Sequence, residues 1–200
     1  MQKRNTYIEK SLKLFLRFGV KSVTIGDIAN HLNISTKTIY KIFGDKTGLV
    51  NECLLLDNEI IEQAYHRILS KNNVLEAMIE FYNEFIHRIS SVNPNYFIDI
   101  QKYFPEIWKE TTSHGIQQIK ELLKRGVEAG YFYHKIDIDI TAQTIALLIK
   151  AMLDDEILPL PNQDRRKLAT HIIYPYLKGI CTSKGLGEIR DYMQRTKMVN

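Results

Sequence analysis

Between Thr24 and Lys46 the chain reads TIGDIANHLNISTKTIYKIFGDK, a stretch with two helix starts and a stop between them. The Thr24 hydroxyl can cap a helix, and Asp27, three residues on, completes a capping box while facing the positive end of the helix dipole. Ile25, Ile28, Ala29 and Leu32 then share one face, and the small Ala29 leaves room for a second helix to cross closely. Asn33 tolerates the left-handed conformation that closes such a helix, and Ile34 plugs the turn from beneath. Ser35 can cap the next helix, whose Ile39 and Phe43 point back toward Ile28 and Ala29 while Thr36, Lys37 and Thr38 face outward. Two short helices joined this way form a helix-turn-helix, and the first turn of the second is the part that enters a DNA major groove.

The preceding segment supplies what this pair cannot bury alone. Ile8, Leu12, Phe15, Leu16 and Val20 fall at helical spacing, with Gly19 ending the run, so a three-helix head is expected. Phe43 to Lys46 make a further turn and cap, and Leu49, Val50, Cys53, Leu54, Ile60, Ile61, Ala64 and Ile68 carry a long helix away. Lys46 opposes the dipole of that helix, a poor choice for helix stability and a sensible one for binding phosphate. Charge divides the chain in the same place. Residues 1–50 hold nine Lys or Arg against three acids, a balance of +6, while the remainder stands at −2. A basic head of this kind is the electrostatic footprint of nucleic-acid binding.

Leu14, Phe15, Gly19, Val23, Thr24, Ile28, Ala29, Leu32, Ile34, Ser35, Thr38, Ile39, Tyr40, Phe43, Lys46 and Leu49, at their present spacing, give a pattern that resembles the TetR family of bacterial transcriptional regulators over about residues 8 to 55. The resemblance implies that Thr36, Lys37, Thr38 and Lys41 face base edges or nearby backbone, and that Thr24, Tyr40 and Lys46 clamp phosphates. Asn33 stands where the family usually has glycine, and Gly26 where some members place a long reading side chain. Base reading is therefore expected to lean on the second helix and on operator shape.

Domains are expected at 1–50, the DNA-binding head, and 51–200, a helical body for effector binding and dimerisation. No Gly/Ser-rich or Pro-rich linker parts them, so the long helix from Lys46 should join them as a stiff element. In the body, Val74, Ala77, Met78, Phe81, Tyr82, Phe85, Ile86 and Ile89 make a wide apolar face bounded by Pro94. Further helices are expected over about Glu106 to Ala129, Ile140 to Leu158, stopped by Pro159 and Pro161, and Gln163 to Lys178, with Pro175 bending its last turn. A tail helix from Thr182 would carry Leu186, Ile189 and Met193, weakened at its start by Gly185 and Gly187. No run of alternation argues for a sheet, so the fold class is all-α.

The last two body helices carry more apolar residues than one body needs, and a twofold dimer answers that surplus; two reading helices one DNA turn apart recognise a palindrome. In the family resembled these helices form the dimer interface, for which Leu148, Met152, Ile172 and Tyr176 are candidates. The resemblance also implies a ligand cavity among the middle helices, with Tyr82, Phe85, Phe97, Tyr103, Phe104 and Trp108 as candidates and a small apolar or aromatic molecule as effector.

An enzyme is not expected. Asp154, Asp155 and Glu156 are adjacent on a helix and point different ways, the histidines are scattered, and no phosphate-cradling glycine loop follows a strand. No metal or cofactor is called for. Cys53 and Cys181 give neither a disulfide framework nor a ligand spacing. The charged start and the lack of a spanning apolar window read as cytoplasmic, with no membrane partner. The expected partners are double-stranded operator DNA, a second copy of the chain and an unknown small effector. A helical protein-interaction module with weak nonspecific DNA binding is the alternative.

Overall fold

The computed structural model describes residues 2–154, 156–159 and 164–195. Its helices are α1 (Gln2–Phe18), α2 (Ile25–Leu32), α3 (Thr36–Phe43), α4 (Lys46–Leu69), α5 (Val74–Ser91), α6 (Pro94–Tyr103), α7 (Pro105–Glu128), α8 (Ile138–Leu153), α9 (Arg165–Ile180) and α10 (Ser183–Arg195). Among the described residues the only extended pairing is an isolated antiparallel bridge between Phe132 and Cys181. The all-α expectation holds. Two compact units emerge, Met1–Ala64 with Ser91–Thr111, and Tyr65–Ser90 with Thr112–Asn200.

In the first unit, Ile8, Leu12 and Phe15 on α1, Ile28 and Ala29 on α2, Ile39 on α3 and Leu49, Val50 and Cys53 on α4 are all buried. Each junction between these helices has a local cause. Gly19 follows α1 at φ 85°, a conformation that disfavours any side chain. Its amide donates to Phe15 O at 2.8 Å, closing the helix. Asn33 adopts φ 53°, ψ 45° and ends α2 in the left-handed region, as its amide side chain permits. Ser35 accepts the Thr38 amide at 3.1 Å and starts α3.

The helix α6 is not foreseen in the sequence, where Pro94 figures only as a boundary. Asn93 caps it, accepting the Asn95 amide at 2.9 Å, and Pro94 fills a first-turn position whose missing N–H would have no helical partner. It buries Tyr96, whose hydroxyl donates to Asp57 Oδ2 at 2.6 Å.

The second unit has its own core of Ile119, Leu123, Phe132, Ala142, Ile145 and Cys181, with Ile68, Ala77 and Leu122 forming a smaller cluster. Gly126 lets the Phe132 ring lie against α7, since an added Cβ would come within 2.6 Å of it. Arg125 donates to the carbonyls of Leu69 at 2.7 Å and Lys71 at 2.5 Å, satisfying acceptors that the end of α4 leaves open.

Two expectations need correction here. The helix expected to reach Leu158 ends at Leu153, because Asp154 turns extended at φ −124°, ψ 106° and its carboxylate takes the Glu156 amide at 2.9 Å, a local turn that competes with the helix. Gly185, expected only to weaken the tail helix, is what seats it, because any Cβ there would collide with the Tyr131 carbonyl. Thr182 Oγ1 donates to Gly130 O at 2.7 Å and Lys184 Nζ to Ala129 O at 2.8 Å, fastening α10 to the end of α7. α9 continues through Pro175 to Ile180. Asp155, Pro161, Gln163, the Met193 side chain and the tail from 196 onward, all named in the sequence reading, lie outside the described residues.

Candidate nucleic-acid interface

The first turn of α3 is built from beneath. Ile39 is fully buried and Phe43 nearly so, so the helix presents its opposite face to solvent. Thr36, Lys37 and Lys41 are exposed there. Tyr40 is 51% exposed on the same helix. Thr38 is half-buried and its hydroxyl lies 2.9 Å from Ser35 Oγ, so it belongs to the cap as much as to the open face.

Thr24 stands at the start of α2 in the full capping box. Its Oγ1 accepts the Asp27 amide at 3.1 Å, and Asp27 Oδ2 receives the Thr24 amide at 2.8 Å and the Thr24 hydroxyl at 2.6 Å. These hydrogen bonds, with the side-chain one largest, hold the Asp27 carboxyl below the usual range. Lys46, at the first position of α4, is half-buried and extends its ammonium to Lys21 O at 3.4 Å. Burial pushes its pKa down, while the carboxylates of Asp99 and Asp27 pull the other way. Thr24 and Lys46 therefore belong to one neighbourhood through Asp27, and the α3 residues form the adjoining face of the helix-turn-helix. Two residues in this neighbourhood, Lys21 and Asp99, escaped the sequence reading. The Asn93-Pro94 pair, a cap followed by a first-turn proline, is the signal for the helix that brings Asp99 there.

In the second unit a cavity of about 60 Å³ is lined by Met78, Phe81, Tyr82, Phe85, Ile119, Leu122, Leu123, Phe132, Ile145, Ile149, Ile173 and Leu177. Tyr82 and Phe85 are thus placed at it. Phe97, Tyr103, Phe104 and Trp108 belong to the first unit and do not line it; Phe97 is buried there and Tyr103 is 47% exposed. The aliphatic lining residues of α7, α8 and α9 escaped notice because their spacing is the same as that of plain core. Burial raises the Tyr82 pKa, and its hydroxyl is hydrogen-bonded with Thr170. Of the interface candidates, Met152 is buried within its own unit, whereas Leu148, Ile172 and Tyr176 are half-buried. Leu147, which sequence reasoning passed over, is 62% exposed, and Ile140 66%.

Neither cysteine is poised for chemistry. Both are free and buried, and burial raises the Cys53 thiol to about 12 and the Cys181 thiol to about 11. At pH 8 the native protein should leave a thiol-disulfide reagent such as dithionitrobenzoate unreacted, with both thiols titrating only in denaturant; rapid native labelling would contradict the buried placement. Because the folded Cys53 pKa lies above the unfolded one, the contribution of this thiol to stability is fully present below about pH 9 and is lost as pH rises from there toward 12. Among the described residues, no group of three or more His, Cys, Asp or Glu could hold a metal, and no helix is long and apolar enough to cross a membrane.

Residues 8–53 match the family model of bacterial regulatory proteins, tetR family. Over 183 residues the chain is 24% identical to YvkB of Bacillus subtilis (strain 168), an uncharacterized HTH-type transcriptional regulator, covering 86% of this chain and 94% of that one. Among solved structures it is similar to a TetR transcription regulator from Haloarcula marismortui, with a TM-score of 0.74 at 13% identity over 90% of this chain and 99% of that one. It is also similar to the ketosteroid transcriptional regulator KstR2 of Mycobacterium tuberculosis, with a TM-score of 0.62 at 20% identity over 90% and 95% of the two chains. At these identities the solved structures share the fold.

Proposed function

We propose that this chain, whose residues 8–53 match the tetR family model, is a DNA-binding transcriptional regulator that works as a dimeric repressor whose hold on a palindromic operator is released by a small, neutral, apolar effector. The observation that carries the DNA reading is the first turn of α3, where Thr36, Lys37 and Lys41 stand exposed on a helix pinned from below by Ile39. In this reading Thr36, Lys37, Thr38 and Lys41 meet base edges or adjacent backbone, while Thr24, Tyr40 and Lys46 take phosphates and set the register. The head, residues 1–50, takes DNA in this reading, while the second unit, Tyr65–Ser90 with Thr112–Asn200, senses and pairs.

The two kinds of contact separate experimentally. Lys46→Ala should weaken binding to every duplex alike and lower the salt slope by about one unit. Thr36→Ala should instead relax sequence preference, by roughly 1 to 3 kcal/mol between operator and mismatched duplex. Discrimination lost with Lys46→Ala at an unchanged slope, or uniform weakening with Thr36→Ala, would reverse these roles.

The cavity in the second unit supports the effector half. None of its lining residues is charged, and burying an ionised carboxylate among such side chains without a partner costs several kcal/mol, so a neutral ligand is favoured. At about 60 Å³ it is smaller than the 150 Å³ engineered cavity that accepts benzene, so occupation requires Met78 or the rings of Phe81 and Phe85 to move. An effector that prefers the rearranged body shifts the population away from DNA-competent head spacings. Indole, as a neutral probe, should raise the unfolding temperature of the wild type by mass action and leave an Ile149→Trp protein, with its cavity filled, unshifted. Equal shifts in both would remove the cavity from the reading.

A further inference from the structure

Asp99 is an acid of the first unit, only 7% exposed, on a helix that packs beside the basic head but lies outside the helix-turn-helix. An anion near a DNA-binding face repels phosphate, so its presence calls for a use. Its Oδ2 accepts the Lys21 amide at 2.7 Å. The carbonyl of the same Lys21 receives the Lys46 ammonium at 3.4 Å. One residue thus has its N–H held by Asp99 and its C=O held by the side chain assigned to phosphate. The fit is close: at Gly19 an added Cβ would meet Asn95 Cβ at 3.0 Å and Asp99 Oδ2 at 3.3 Å. Asn93 fastens the same approach, its amide donating to Leu16 O at 2.8 Å and its Nδ2 to Arg17 O at 3.2 Å, so that carbonyls at the end of α1 are satisfied from the α6 side.

We propose that Asp99 is a positioning residue for operator binding, fixing the Lys21 peptide on which the Lys46 ammonium is parked so that Lys46 is presented to phosphate at the edge of the head. It never touches DNA. Its action runs wholly through Lys21 and Lys46, and its buried charge also offsets part of the desolvation of the Lys46 ammonium. This rests on the reading of Lys46 as a phosphate contact.

The test is operator affinity against salt concentration for Asp99→Ala, Asp99→Asn and Lys46→Ala, and for Asp99→Ala combined with Lys46→Ala, in the full chain. Loss of an acid by electrostatics alone would tighten every duplex. Positioning predicts the reverse for Asp99→Ala, a loss matching that of Lys46→Ala with the salt slope lower by about one unit, and no further loss in the double variant. Asp99→Asn keeps an acceptor for the Lys21 amide and should retain the wild-type slope. Should Asp99→Ala fail to fold, Asp99→Ser, whose hydroxyl stops short of Lys21, carries the same expectation. Tighter binding by the Ala or Ser variant, or losses that add in the double variant, would overturn the inference. If Lys46→Ala itself changed neither affinity nor slope, the phosphate assignment would fall, and the inference with it.

Discussion

Ile39→Ala is expected to cost the head roughly 2 to 5 kcal/mol, the range for truncating a large aliphatic side chain in a close-packed core. Ile39 and Ile28 are both fully buried, and α3 is only eight residues long. A helix of two turns has little stability of its own and depends on tertiary packing. Its Ser35 cap contributes about 1 kcal/mol, and the exposed threonines and lysines contribute less. Urea unfolding followed by helical circular dichroism should show the lowered midpoint, and operator affinity should fall although no DNA-facing side chain has changed. Thr36→Ala, on the exposed face of the same helix, should leave the midpoint within about 0.5 kcal/mol of the parent. A midpoint unmoved by Ile39→Ala would mean that α3 is held by something other than this packing.

Leu147→Glu should carry the largest effect on DNA binding of any change outside the head. Leu147 is 62% exposed in the single chain, so a glutamate there leaves the fold of one protomer intact. Against a second copy across a twofold axis, the same carboxylate would be buried twice and face its own image. If α8 and α9 form that interface, the variant sediments as a monomer and operator affinity drops by roughly 10² to 10⁴, the gain that linking two binding modules confers. Ile172→Glu, on α9, should behave the same way. A Leu147→Glu protein that remains dimeric would move the interface elsewhere.

The head was legible in the sequence because each of its joints uses a residue with a specific backbone role. Thr24 with Asp27, Asn33 and Ser35 act through hydrogen bonds spanning only three or four residues, so pattern alone places them. The capping box and the left-handed Asn33 stand where they were expected. The Asp99–Lys21–Lys46 connection was not legible, since it meets at the Lys21 backbone from side chains 78 and 25 residues away in sequence, and depends on the tertiary placement of α6. The cavity was half legible. Tyr82 and Phe85 drew attention as aromatics, but Ile119, Leu122 and Ile149 carry no mark that distinguishes a cavity wall from solid core. Gly185 was misread because its helix propensity is local, whereas its use, the close approach of the Tyr131 carbonyl, is tertiary.

The central claim is that this chain reads DNA by sequence as a twofold dimer, and the most direct test is selection of bound duplexes from fragmented genomic DNA by the purified protein at rising salt, followed by shortening of the recovered site. A dimeric reader returns a palindrome with half-sites about one helical turn apart or a multiple of it, retained at physiological salt. Retention of all duplexes alike, lost together as salt rises, would contradict it and leave a nonspecific binder in its place.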